Sequence, residues 1–202
     1  MSFDARDFAR AVWFTVTDPS EAAERVLRFP APDRAVWPAV MLVSILNVLL
    51  LSLTQLLSPP PPEMAGAMIV FSPFSFTLVV WSLLVGFAFL SAAAGRMLGG
   101  QGRFIPMLKL MIWFQIVNLC LGIVQAVFLL VLPPLGGMLG LIILIALFYV
   151  LLQFIRVLHG FASLGAAFGT FLFALIGAGM ATALLMGVLG LGPTIVAPET
   201  LQ

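Results

Sequence analysis

Five long apolar runs, separated by short breaks that carry prolines, glycines or charges, occupy the chain from about residue 36 to residue 190. The most demanding of them reads IVFSPFSFTLVVWSLLVGFAFLSAAA, Ile69 to Ala94, 26 residues without a charge, and the next charge is Arg96. At about 1.5 Å rise per residue a helix of this length covers roughly 39 Å, enough to cross a hydrocarbon layer of about 30 Å. A soluble fold could hide such a helix only in a core far larger than 202 residues can build. The other runs are then its neighbours in a membrane: about 36–57, entered through Trp37-Pro38, then 110–132, 137–155 and 164–189. The breaks are equally legible. Pro59 to Pro62 cannot continue a helix, and Pro133-Pro134 turns the chain between the third and fourth spans. The GRMLGGQGRF stretch joins the second span to the third, and Arg156, His159 and Gly160 join the fourth to the fifth. The pattern predicts an all-α polytopic membrane protein, a bundle of five transmembrane helices spanning residues 36–190.

Residues 1–35 follow a different rule. Phe3, Phe8, Val12 and Trp13 recur near helical spacing with Asp4, Arg6, Asp7 and Arg10 between them, which predicts a short amphipathic helix with Trp13 at headgroup level. A second helix is announced by Thr17-Asp18-Pro19-Ser20-Glu21. Asp18 is the cap, Pro19 fits the first helical position and Glu21 stands three residues after the cap, completing a capping box. This helix runs to about Arg28 and stops before Phe29-Pro30-Ala31-Pro32, with Arg25 and Arg28 in the last turn, where the helix dipole favours cations. The remaining segment, 191–202, reads as a short tail. No signal peptide is expected, since MSFDARDFAR leads into no short apolar core with a cleavage site.

Charge gives the orientation. With the N-terminus in the cytoplasm and the spans alternating, all nine Lys and Arg fall on the inner side, and the outer segments hold only Glu63 and Glu199. Basic residues in short loops resist translocation, so the expected arrangement is N-terminus inside and C-terminus outside, in an inner membrane. Charged residues make up 8% of the chain and the net charge is +1, which supplies no field to recruit nucleic acid. One cysteine, Cys120, and one histidine, His159, are too few for a disulfide framework, a thiolate cluster or a zinc site. No Asp, Glu, Lys or Arg lies within a proposed span, which argues against proton-coupled transport. No nucleophile stands beside the histidine, and the glycine-rich stretch lacks the Gly-Lys-Ser/Thr ending of a nucleotide loop. Neither a catalytic residue, a metal nor a cofactor is expected; that stretch reads instead as a flexible turn with basic residues facing anionic lipid heads.

The polar residues inside the spans are more informative. Gln115, Asn118, Gly122 and Gln125 follow spacings of three, four and three and share one helix face. Asn47 and Gln55 on the first span and Gln153 near the inner end of the fourth are candidate partners. Such a face serves either to hold helices together by hydrogen bonds or to line a polar cavity for a lipid head or small solute. On the fifth span, Gly165-x-x-x-Gly169 and Gly179-x-x-x-Ala183-x-x-x-Gly187 offer close helix contact, within the chain or between copies. At the inner surface Arg96, Arg103, Lys109, Arg156 and His159, together with the N-terminal helix, form a candidate docking or lipid-head surface.

With these residues in place the chain resembles the Yip family, membrane proteins named for interaction with Ypt/Rab GTPases. The bacterial branch is similar in the Thr17-Asp18-Pro19 helix start, the Gly95-Arg96…Gly99-Gly100-x-Gly102-Arg103-Phe104 connection and the Arg156-x-x-His159-Gly160-x-x-Ser163 link. The likeness covers about residues 17–190. The Asp-Leu-Tyr-Gly-Pro signature associated with eukaryotic members has no counterpart, so Rab binding is not carried over. The resemblance implies a five-span fold and a non-enzymatic role in membrane organisation or partner binding. The partners it leaves open are membrane lipids, a second copy and another membrane protein; the alternative is a carrier or lipid-binding protein that uses the polar face.

Overall fold

The computed structural model describes residues 4–57 and 72–191, and the described residues fold into seven helices with no strand. The helices are α1 (Ala5–Thr17), α2 (Pro19–Arg28), α3 (Asp33–Leu57), α4 (Pro73–Met97), α5 (Phe104–Val131), α6 (Pro133–His159) and α7 (Leu164–Val188). The last five are each long and apolar enough to cross a membrane, making this a multi-pass membrane protein. Pro59–Pro62, Glu63 and the first residues of the Ile69 run lie outside the described residues, as does the tail from Gly192.

The helix ends follow local chemistry. Asp4 caps α1 by accepting from Arg6 N–H, and Asp18 caps α2 by accepting from Glu21 N–H at 3.1 Å, with Pro19 in the first turn. Only half of the predicted capping box forms. The Asp18 N–H donates to Phe14 O, and the Glu21 carboxylate accepts from Arg25 instead. Helix α3 starts at Asp33, ahead of the apolar run, so Pro38 falls beyond its first turn and removes one rung of the hydrogen-bond ladder. Ser72 opens α4 by accepting from Ser75 N–H. Helices α5 and α6 also begin earlier than their apolar runs, because Pro106 and the Pro133-Pro134 pair sit in first turns, where no N–H is needed. The far end of α6 passes Arg156 and stops where Gly160 adopts φ +68°, its N–H reaching Arg156 O and Val157 O.

Helix α4 packs most extensively along α7, and α5 occupies the middle, touching α3, α4 and α6 as well as α1 and α2. The main core joins Val36 and Val40 of α3, Phe87 and Ala88 of α4, Met107, Leu108 and Met111 of α5, and Ile155 of α6. These residues lie toward one end of the bundle, the end where α1 and α2 pack and where the Lys and Arg side chains gather. Ala23 of α2 is fully buried against Leu110, Val150 and Phe154. Val12 of α1 is buried with Val117 and Leu147, and Thr15 Oγ1 accepts from Trp113 Nε1 at 2.9 Å. The amphipathic helices are thus seated on the bundle, while Trp13 on the opposite face of α1 stays 68% exposed.

Within the chain, the glycine pattern of α7 makes no close helix contact. The face of α7 that is buried carries Ala167, Thr170, Ala174, Ala178 and Thr182. Open space surrounds a side chain built at Gly179 or Gly187, and Gly165 and Gly169 meet nothing closer than 3.8 Å. Close approach between α4 and α7 comes instead at Gly177, where Leu90 would stand 2.8 Å from an added Cβ, and at Gly86 against Ala178. The four-residue spacing is shared by two stripes of α7, and the alanine stripe is the one that touches the chain's own helices.

Candidate functional site

Two regions bring chemistry together. The first lies within the membrane spans. Asn47, Gln115, Asn118, Gly122 and Gln125, with Thr54, line one cavity of about 400 Å³ between α3, α4 and α5. Asn118 Nδ2 donates to Asn47 Oδ1 at 2.9 Å, and Asn47 Nδ2 donates to Val43 O at 2.8 Å and, more loosely, to Gln115 O at 3.4 Å. The asparagines therefore satisfy each other across α3 and α5. Gln125 turns its amide toward α6, where a side chain at Gly140 would overlap its Nε2. The side chains of Gln115 and Gln125 are half-buried and form none of the cavity's hydrogen bonds.

Two of the candidate polar partners stand elsewhere. Gln55 is exposed on α3. Gln153 is buried, but its Nε2 donates to Tyr149 Oη and its Oε1 accepts from Ser20 of α2 at 3.3 Å. Arg156 Nη2 also donates to Ser20 Oγ, at 3.2 Å. Gln153 and Arg156 thus clamp α2 to α6 rather than joining the polar cavity or standing free at the surface.

The second region is the basic end. His159, which the sequence places among surface anchors, is 2% exposed. Its ring stacks on Phe161 with centroids 5.1 Å apart, and Nδ1 lies 3.0 Å from Ile155 O. A carbonyl can only accept, so Nδ1 carries the proton. Gly95 in the last turn of α4, with Gly100 and Gly102 of the α4–α5 connection, encloses the imidazole. A Cβ at Gly95 or Gly102 would overlap the ring, and one at Gly100 would stand 2.6 Å from His159 Cβ. Gln101 N–H donates to His159 O at 3.1 Å, and Gly100 N–H to Gly95 O at 2.8 Å. His159 Nε2 and Ser91 Oγ are buried without a hydrogen-bond partner among the described residues. The glycine-rich stretch is therefore a fitted cradle that fastens α4 and α5 to the end of α6, and not a loose turn. Its two motifs were visible in the sequence; that they enclose one another was not.

Arg96 and Arg103 remain exposed beside this clasp, and Lys109 sits deeper, donating to Ala31 O at 2.8 Å and facing Asp33 at 3.5 Å. A family model described as the Yip1 domain matches residues 13–186. The chain belongs to the Yip1 family. The matched region takes in Trp13–Thr17 at the end of α1, all of α2, the clasp and the five spans as far as Met186, so α2 is part of the Yip1 domain and not an appendage. No curated protein and no solved structure matches the chain.

Proposed function

We propose that this Yip1-family protein is a non-enzymatic organiser of membrane components that binds its partners through the basic end, held on the cytoplasmic side of an inner membrane. The observation that carries this reading is the set of contacts that ties that end together. Helices α1 and α2 are fixed on α5 and α6 by Thr15–Trp113, Ser20–Gln153 and Ser20–Arg156, and the histidine clasp fixes the neighbouring connection. A preorganised surface loses little side-chain and loop freedom on binding, which favours partner recognition. Exposed Arg28, Arg96 and Arg103 give that surface its charge.

The test places single cysteines, or a photo-reactive residue, at Arg28, Arg103 and, on the opposite end, Leu132. A membrane-impermeant thiol reagent should reach Arg28→Cys and Arg103→Cys only from the cytoplasmic side, in a chain with Cys120 replaced by Ala. Photo-crosslinks from Arg28 and Arg103 should give discrete adducts with membrane proteins or a second copy that Leu132 does not give. Labelling from outside, or the same uncrosslinked chain at all three positions, rules the reading out.

A second reading rests on the 400 Å³ polar cavity, a volume within the usual range of small-ligand sites. In this reading Gln115 and Gln125 bind a small solute or lipid head, while Asn47 and Asn118 are structural. Gln115→Leu with Gln125→Leu should then leave the melting temperature in detergent nearly unchanged and abolish binding or transport. Asn118→Leu should instead cost about 1–2 kcal/mol of stability by orphaning Asn47. If the double glutamine variant is the one that fails to assemble, those side chains are structural and the cavity reading falls.

A further inference from the structure

A second, larger cavity of about 490 Å³ lies under α1 and α2, against the first two turns of α3 and the second to fourth turns of α5. It exists because alanines occupy positions where larger side chains would fill it: Ala11 of α1, Ala22 of α2, and Ala35 and Ala39 of α3 face it together with Ile112 and Trp113 of α5. Two cations also line it. Lys109 spends one N–H on Ala31 O and offers another to Asp33, an exposed carboxylate held only at 3.5 Å. Arg25 gives Nη2 to Glu21, and its guanidinium carbon lies 4.1 Å over the Phe14 ring. Each cation keeps donors beyond these contacts, since an ammonium has three N–H groups and a guanidinium five.

From this geometry we infer that the cavity is a site for one glycerophospholipid of the surrounding bilayer, an acyl chain lying among the alanines and the phosphate meeting Lys109 and Arg25. Charge complementarity selects this occupant. The walls are almost wholly hydrocarbon, which suits a lipid tail, while the polar groups that do line the cavity include two cations suited to a phosphate. The position agrees. Amphipathic helices over the entry turns of two spans place the cavity at the depth where headgroups meet acyl chains. The cavity is open on one side, so an acyl chain of the bilayer can enter it and meet its apolar wall. The phosphate would replace Asp33 at the weaker of the two Lys109 contacts. This site shares no lining residue with the polar cavity, and it borders the partner surface at Arg28 without including Arg96 or Arg103.

Native mass spectrometry of the full chain in detergent, titrated with phosphatidylglycerol, tests the inference. One bound lipid per chain is expected to survive removal of the micelle. Ala39→Phe and, from the opposite wall, Ala11→Phe should each lower its retention at least tenfold. Lys109→Met with Arg25→Gln should weaken phosphatidylglycerol while leaving an uncharged diacylglycerol titrated in its place unaffected. Melting temperature is recorded for every variant, and two wall variants from different helices guard against one failing to fold. Wild-type retention in both folded wall variants overturns the site. Diacylglycerol held as tightly as the phospholipid by the wild-type chain overturns the phosphate assignment, and so does retention of phosphatidylglycerol by the double cation variant. Displacement of inorganic phosphate alone, or a dimer carrying no lipid, overturns it as well.

Discussion

Gly95→Ala is expected to destabilise the protein by about 1–3 kcal/mol, as insertion of a methyl group into a filled site does. The sign is the informative part. In an open helix the same change stabilises by roughly 0.5–1 kcal/mol, because glycine loses more backbone freedom on folding than alanine. Here the methyl group would overlap His159 Nε2, and the ring has nowhere to go. Its Nδ1 is tied to Ile155 O and its face is stacked on Phe161. Thermal unfolding in detergent should show Gly95→Ala and His159→Ala each lowered, and the double variant lowered by less than their sum. Additive losses would mean that Gly95 and His159 do not touch.

Phe154→Ala should be the costliest single truncation at the basic end, about 3–5 kcal/mol on the scale of buried phenylalanines. Phe154 is fully buried between Ala23 of α2 and Leu110 of α5, with Val26, Leu27, Trp113 and Phe114 around it. The loss would fall on the seating of α2, since the hydrogen bonds at Ser20 are few and long, at 3.2 and 3.3 Å. Trypsin should then cut after Arg25 and Arg28 well before the spans are lost. If these bonds stay as protected as in the unaltered chain, the N-terminal helices are held by something other than this contact.

Much of the architecture was legible in the residues, and the reason is physical. A bilayer forces every span to be a continuous apolar helix, so five runs gave five helices, with the breaks at prolines and glycines. The Asp18 start was readable because capping is a local matter of four residues. Helix starts were read too late wherever prolines stood ahead of the run, because a first turn tolerates proline and so extends the helix past it. The sequence also grouped Gln115, Asn118 and Gln125 on one face, and they line one cavity. Partners across helices were not readable. Gln153 belongs with Ser20, and the alanine stripe of α7, rather than Gly179 and Gly187, meets α4; nothing in helical spacing chooses between two stripes of one helix. His159 was hardest to place. A histidine after an apolar helix looks like a surface anchor, and only the fold shows that Gly95, Gly100 and Gly102 leave a hole of its shape. The one signal on offer was four glycines in one short stretch, Gly95 to Gly102, and a lone histidine followed by glycine in another.

The clasp also sets an order of assembly. A ribosome delivers Gly95, Gly100 and Gly102 well before His159, and α2 long before Phe154 and Gln153. Until the fourth span is inserted, the glycine cradle stands vacant and the N-terminal helices have only part of their seat. Both closures then happen at the end of one helix. A chain stopped before α6 would therefore lack both closures at once, and the long α4–α7 contact would still be missing after it.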